Sequence, residues 1–314
     1  MSITRLAPSP TGALHLGNAR TFLVNWLLAR RNGWRIILRI EDIDGPRIKR
    51  DADQQAIEDL RWLGLDWDVG PIYQSGRIAL YRAAIEQLIA HGAAYPCICT
   101  RKEVDLAASA PHAEDGSTIY PGTCRDRFGS IEEARHAAGR EPAMRFRVPA
   151  GEVVFEDQFA GMQRYDVVRD LGDFVIAKAD GTPAYQLAVV VDDSDMNVSH
   201  IVRGDDLLDS TPRQILLYRA LKLDDRIPQY CHLPLITGTD GRRLAKRHGD
   251  TRLMTYHENG ITSGAVLALL ANWCGIETGD TVEHPRDLLE NFTLSRLGRG
   301  PIVFDPARWR PHNP

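Results

Sequence analysis

The chain has 314 residues, a formal net charge of −4, 43% hydrophobic and 25% charged residues. That is ordinary globular composition, long enough for two domains, and it carries no overall basic footprint for nucleic acid. No apolar run reaches 18 residues and the opening MSITRLAPSPTG lacks the apolar stretch of a secretory signal, so a cytoplasmic protein without a membrane partner is expected. An RNA partner would have to meet local basic patches, for which Arg30-Arg31 and the tail arginines Arg296, Arg299, Arg308 and Arg310 are the candidates.

Residues 2–7 read as a short strand, followed by the loop PSPTGALHLG and a helix from about Asn18 to Arg31. Ala19, Phe22, Leu23, Trp26 and Leu27 recur at three- and four-residue steps and share one helical face, and Gly33 closes the helix. Residues 35–40, RIILRI, read as a second strand. This βαβ opening predicts a parallel sheet with ligands at the carboxyl ends of its strands. Helices are expected at 52–65 and 76–92. The stretch 94–151 breaks the pattern and reads as an insertion, with a helix around Ile131 to Ala138. Residues 186–191, QLAVVV, read as a buried strand ending at Asp192-Asp193, and a helix follows at about Thr211 to Leu221. Beyond Thr251 the pattern is mostly helical, and the last fifteen residues, rich in Pro and Arg, are expected to be loosely held. The expected architecture is therefore α/β: a Rossmann-type parallel-sheet catalytic domain in two halves (1–93 and 152–240), an inserted subdomain (94–151) and a C-terminal helical unit (241–314).

Two loops carry candidate phosphate chemistry. In PSPTGALHLGN, Gly12 and Gly17 permit close backbone approach, and the helix N-terminus beyond Gly17 suits phosphate. His15 can donate to phosphate oxygens as charge shifts, or can simply cap the helix. In GRRLAKRHGD, Lys246 and Arg247 lie in a polar loop; a lysine that reaches phosphate only during reaction stabilises the transition state more than the ground state. Three thiols, Cys97, Cys99 and Cys124, fall within 28 residues and are soft ligands for zinc, which takes four. On coordination chemistry the fourth ligand can be Tyr120, His112 or Asp126, with histidine the commoner choice. Cys231 and Cys274 read as small buried hydrophobes.

The residues RLAPSPTGALHLGNART, RIEDID, VVDDSDMNVSHIVRGDDLLDSTPRQILLY and LAKRHGD occur in an order that resembles the glutamyl branch of the class I aminoacyl-tRNA synthetases, over roughly residues 3–260. That family carries a His-Ile-Gly-His element early and a Lys-Met-Ser-Lys-Ser element late. Here they stand as His15-Leu16-Gly17-Asn18 and Arg243-Leu244-Ala245-Lys246-Arg247. The late element keeps the charge of its first lysine as Arg243 and loses a hydroxyl at Ala245, so the weight falls on Lys246. The resemblance implies His15 and Lys246 in catalysis, and an ATP site of Pro8, Thr11, Gly12, His15, Gly17, Asn18, Arg243 and Lys246, with magnesium accompanying the nucleotide. It implies a glutamate pocket of Arg5, Ser9, Glu41, Tyr185 and Arg203. Guanidinium groups can meet a carboxylate bidentately and Glu41 can accept from the ammonium, although Glu41-Asp42-Asp44 could equally be a solvated turn and Arg203 could pair with Asp205 or Asp206.

The spacing Cys-x-Cys followed by Tyr-x-x-x-Cys resembles the zinc site of the glutamyl-queuosine branch, where tyrosine takes the fourth place. This implies one structural zinc on Cys97, Cys99, Tyr120 and Cys124. Only 67 residues follow Arg247, too few for a full anticodon-reading domain. The branch implies a monomer that activates glutamate with ATP without needing tRNA, then transfers it to the queuosine base in the anticodon loop of tRNA-Asp. The alternative is a conventional enzyme charging the 3′ end of tRNA-Glu.

Overall fold

The computed structural model describes residues 1–43, 45, 48–107, 119–242, 244, 250–306, 308 and 309. Strand β1 (Ile3–Leu6), helix α1 (Leu16–Arg31), strand β2 (Arg35–Ile40), helix α2 (Ala52–Trp62) and strand β3 (Val69–Tyr73) form two successive βαβ units. The three strands pair in parallel in the order β1-β2-β3. Helix α1 is anchored to β1 by Asn25: its amide donates to the Arg5 carbonyl at 2.8 Å and its oxygen accepts from Thr4 Oγ1 at 2.8 Å. The chain then runs through α3 (Ile78–Ala90), β4 (Ala94–Cys97), α4 (Arg101–Ala107), α5 (Ile131–Ala138) and β5 (Ala143–Phe146). A hairpin of β6 (Glu152–Asp157) and β7 (Gly161–Asp166) follows, then the short α6 (Val167–Asp170) and β8 (Phe174–Ala177). Strands β4, β5 and β8 make an antiparallel sheet, so the inserted region borrows a strand from beyond residue 151.

Helix α7 (Tyr185–Asp195), strand β9 (His200–Gly204), helix α8 (Ser210–Ala220) and strand β10 (Gln229–Leu233) complete the frame, with β9, β10 and β6 parallel. Ser199, at the start of β9, donates its N–H to the Ile3 carbonyl at 2.9 Å and accepts the Ile3 N–H on its hydroxyl at 2.9 Å. Strand β1 therefore lies between β2 on one side and β9 on the other. The chain winds outward from β1 to β3 and later returns to build β9 and β10 on the opposite flank. In parallel sheets the crevice beyond the carboxyl ends at such a reversal is where ligands bind.

The segment 186–191, expected as a strand, is instead the middle of α7. Leu187, Ala188, Val189 and Val190 are all buried, with Leu187 and Val190 in the second of two large core clusters. A short apolar run covered on every side gives no periodicity by which helix and strand can be told apart. The C-terminal region is less helical than expected. Helices α9 (Leu253–Glu258) and α10 (Ser263–Trp273) are followed by only two described 3-10 turns, Pro285–Leu288 and Leu294–Arg296. Nor are the described residues of the last fifteen loose. Strand β11 (Ile236–Thr237) pairs with β12 (Ile302–Val303), Phe304 is buried, and the Trp309 ring meets Tyr256 edge-on at 5.1 Å. Apolar side chains set among the prolines and arginines hold this stretch down. Cys231 and Cys274 are buried in the first core cluster, as expected. Among the described residues no helix is long and apolar enough to cross a membrane.

Candidate active site

The carboxyl ends of β1, β2 and β9 border an open cleft of about 1370 Å³. Its floor is built on a buried charge cluster that the sequence motifs had contained without explaining. Arg39, wholly buried near the end of β2, donates to Asp193 at 2.6 Å and to Glu41 at 3.0 Å, and lies 3.7 Å from Asp192. Arg77 donates to Asp192 at 2.7 Å, and the hydroxyl of Tyr81 reaches the same carboxylate at 2.9 Å. Arg5 lies 3.5 Å from Asp193. Three guanidinium groups thus face three carboxylates, so each buried charged group has an opposite partner. The helical form of α7 is what makes this possible, because its last turn presents Asp192 and Asp193 side by side.

On this floor sit the residues expected for an acidic amino acid. The Nε of Arg5 is buried, faces Asp193 at 3.5 Å and makes no hydrogen bond among the described residues, and the guanidinium lines the cleft. Glu41 is 92% buried; one oxygen accepts from Arg39 and the other lies 3.5 Å from Ser9 Oγ. Burial raises its pKa above the usual carboxylate range, against the opposing pull of Arg39 and Arg5. It is therefore no solvated acidic turn. Asp42 turns away to accept from the backbone and hydroxyl of Ser75, and Asp44 lies outside the described residues. Tyr185, at the first turn of α7, is exposed and opens onto the cleft. Arg203, at the end of β9, donates to Thr211 Oγ1 at 2.8 Å, to Gln214 Oε1 at 3.0 Å and to the Leu207 carbonyl at 3.3 Å rather than to Asp205 or Asp206.

The opposite wall is the early loop. Pro8, Thr11, Gly12, His15, Gly17 and Asn18 all line the same cleft. A Cβ on Gly12 would meet nothing within 4 Å, so its backbone is open to the cleft. A Cβ on Gly17 would stand 3.1 Å from the His15 ring. His15 caps α1: its Nδ1 accepts the Gly17 N–H at 3.2 Å, and Asn18 Oδ1 accepts the His15 N–H at 3.4 Å. Capping and a role toward phosphate are therefore compatible. With Nδ1 accepting, the proton of a neutral imidazole sits on Nε2.

The late loop is anchored beside it. Leu244 is buried and donates its N–H to the Ile236 carbonyl at 2.9 Å. At the far stem, Leu16 donates to the Thr251 carbonyl at 3.1 Å and Leu253 to the Leu14 carbonyl at 2.9 Å, an antiparallel splint across His15 and Arg252. Leu244, Asp250, Thr251 and Arg252 line the cleft with His15. Both stems of the late loop thus border it, while Arg243, Lys246 and Arg247 lie outside the described residues.

At the end of β4 a separate cluster can hold a metal. The sulfur atoms of Cys97, Cys99 and Cys124 lie within 4.8 Å of one another. The Tyr120 hydroxyl is 3.5 Å from Cys97 Sγ and 3.4 Å from Cys99 Sγ, and Cys99 and Cys124 are 3.5 Å apart. A tetrahedral zinc with ordinary bond lengths needs donor separations of about 3.5–3.8 Å, so the donor set fits. The Arg145 guanidinium lies 3.7 Å over the Tyr120 ring and donates to Cys97 Sγ at 3.3 Å, a positive charge suited to an anionic ligand set. Burial pushes the Cys99 thiol up to about 11 and raises the Tyr120 hydroxyl, so a bound cation would have to displace their protons. Asp126 pairs with Arg147 at 2.7 Å instead, and His112 lies outside the described residues.

The arginines considered as RNA contacts are held by the chain's own acceptors. Arg30 pairs with Asp66 and Asp68, Arg31 donates to the Leu289 and Phe292 carbonyls, Arg296 to Asn291, Arg299 to Phe159, and Arg308 pairs with Asp305. Arg310 lies outside the described residues.

Comparison with known proteins converges on one group. The family of class I tRNA synthetases (E and Q), catalytic domain, matches residues 2–301. The glutamyl-Q tRNA(Asp) synthetase of Symbiobacterium thermophilum is 50% identical over 307 residues, covering 95% of this chain and 94% of that protein. The glutamate–tRNA ligase of Geobacter sulfurreducens is 41% identical over 312 residues, covering 98% of this chain and 65% of that protein. Among solved structures, a glutamate tRNA ligase from Elizabethkingia meningosepticum in complex with its amino acid superposes with a TM-score of 0.80 at 28% identity, over 96% of this chain and 67% of that one.

Proposed function

The chain belongs to the class I tRNA synthetases for glutamate and glutamine, and from that premise we propose that this ligase activates glutamate with ATP and transfers it to the queuosine base in the anticodon loop of tRNA-Asp. The observation that carries the reading is the shared cleft: arginines suited to an acidic side chain stand on its floor, and the His15 cap with the stems of the late loop forms its wall. The 50% identity to a glutamyl-Q tRNA(Asp) synthetase, against 41% to a glutamate–tRNA ligase, favours the queuosine acceptor over the 3′ end of tRNA-Glu.

The glutamate α-carboxylate attacks the α-phosphorus of ATP in line, forming glutamyl-adenylate and releasing pyrophosphate. A cyclopentenediol hydroxyl of queuosine then attacks the acyl carbon and AMP leaves. Arg5 and Arg203 hold the acidic side chain, Glu41 accepts from the ammonium, and Ser9 and Tyr185 close the polar shell. Pro8, Thr11, Gly12, Gly17 and Asn18 cradle the nucleotide, while His15 and, from the late loop, Lys246 with Arg243 stabilise the charge that moves onto the phosphates. Magnesium accompanying ATP offsets triphosphate charge. An anticodon loop can splay its bases into a cleft of this size, which a paired stem cannot.

Labelled glutamate offered with ATP is expected to enter tRNA-Asp that carries queuosine and not the same tRNA without it, with the label in an anticodon-loop fragment. Label at the 3′ end of tRNA-Glu would show the conventional acceptor instead. ATP–pyrophosphate exchange should proceed with glutamate in the absence of tRNA.

We further propose that Cys97, Cys99, Tyr120 and Cys124 hold one structural zinc. Elemental analysis is expected to find one zinc per chain in the wild type and almost none in Cys99→Ser, with the thermal midpoint of that variant lowered by about 5 °C or more. Metal-free wild-type protein would end this assignment.

A further inference from the structure

Arginine carries five N–H donors in a rigid fork. In Arg203 four are already spent. Nη2 uses two on the Leu207 carbonyl and Thr211 Oγ1, Nη1 uses one on Gln214, and Nε–H points to His232 Nε2 at 2.9 Å. One N–H, on Nη1, remains for a ligand, so Arg203 cannot grip a carboxylate bidentately as the sequence alone suggested. A single donor discriminates only if its direction is fixed.

The group that fixes it lies behind Arg203, away from the cleft lining. His232 on β10 and Asp157 at the end of β6 both have fully buried side chains, and His232 Nδ1 meets Asp157 Oδ2 at 2.6 Å. The other oxygen of Asp157 accepts the N–H groups of Phe159 at 3.0 Å, Ala160 at 2.8 Å and His232 at 3.1 Å. The carboxylate is thus clamped to the backbone. It obliges His232 to carry its proton on Nδ1 and to offer a lone pair on Nε2 toward Arg203. Burial, and the adjacent Arg203 charge, lower the His232 pKa to about 4, so the imidazole stays neutral.

We propose that Asp157 and His232 are positioning residues for glutamate recognition: this buried aspartate–imidazole–guanidinium relay holds Arg203 so that its one remaining N–H is aimed into the cleft. The proposal rests on the reading that Arg203 holds the acidic side chain of the substrate.

The decisive variant is Asp157→Asn. It keeps the oxygen that serves three backbone donors and replaces the other oxygen with an amide donor. His232 must then switch tautomer, and its Nε2–H confronts the Arg203 Nε–H. Glutamate-dependent ATP–pyrophosphate exchange in the full chain is expected to show a glutamate KM raised at least tenfold, with the KM for ATP within twofold and kcat within threefold of wild type. His232→Gln, which retains an acceptor, should raise the glutamate KM less than His232→Leu, which has none. A thermal melt establishes that each variant is folded. Should Asp157→Asn fail to fold, the ranking of the two His232 variants decides. An unchanged glutamate KM in folded Asp157→Asn, or equal effects of glutamine and leucine at 232, would overturn the relay while leaving the proposed function standing. Wild-type protein without glutamate-dependent exchange would overturn both.

Discussion

Arg39→Leu is expected to cost the fold about 3–5 kcal/mol, a large share of the roughly 5–15 kcal/mol that separates folded from unfolded protein. Leucine fills much of the space but leaves Asp193, Glu41 and Asp192 without the cation they surround. The deficit should depend on pH. Glu41 already sits above its ordinary pKa because burial outweighs Arg39 and Arg5, and losing Arg39 removes the largest opposing pull. A carboxylate whose folded pKa exceeds its unfolded one binds more protons when folded, so its contribution to stability falls as pH rises through that range. Urea unfolding should therefore find the variant weakest relative to wild type at neutral pH and above, with the gap narrowing toward pH 5. A gap equal at pH 5 and pH 8 would mean that lost packing, not stranded charge, is the cause.

His15→Ala is expected to lower glutamate-dependent pyrophosphate exchange by about 10²–10³-fold in kcat, the usual cost of one donor aimed at developing charge. The KM for glutamate should change little, because Arg5, Glu41, Tyr185 and Arg203, proposed to hold glutamate, stand on or just beyond β1, β2, α7 and β9 rather than in the turn that carries His15. Alanine also removes the cap of α1, worth about 0.5–2 kcal/mol of stability. His15→Asn separates the two roles. Asparagine is a good cap and can take the Gly17 N–H, so the stability loss should largely disappear, yet it brings no ring N–H to the position of Nε2. Exchange kinetics with a parallel thermal melt distinguish them. A His15→Asn enzyme as fast as wild type would reduce His15 to a structural cap.

The early-loop wall of the cleft was legible because it is local: a strand, a Pro/Gly turn and a capped helix follow one another within 31 residues. The charge floor was only half legible. RIEDID and VVDDSD displayed Arg39, Asp192 and Asp193, but their meeting depends on α7 being helical, and an apolar run covered on all sides does not announce its period. His232 gave no signal. Its neighbours Tyr230, Cys231 and Leu233 look like any buried strand, and its partner Asp157 is 75 positions away. Strand β3 was missed for the opposite reason, since Gly70 and Pro71 inside it argue for a turn. The three clustered thiols were legible from their spacing, whereas Tyr120 as a fourth ligand is proposed on resemblance, since coordination chemistry by itself leaned toward a histidine.

The seam between β11 and β12 ties the described end of the chain to the wall of the cleft. Ile236 is a wall of the cleft on one side and a partner of Ile302 on the other, and the Phe304 N–H continues the ladder onto the Thr237 carbonyl. A proteolytic nick upstream of Phe304 would unzip an edge that this wall of the cleft depends on. The terminal segment serves as a backstop for that wall, so wear at the periphery would be registered at the centre.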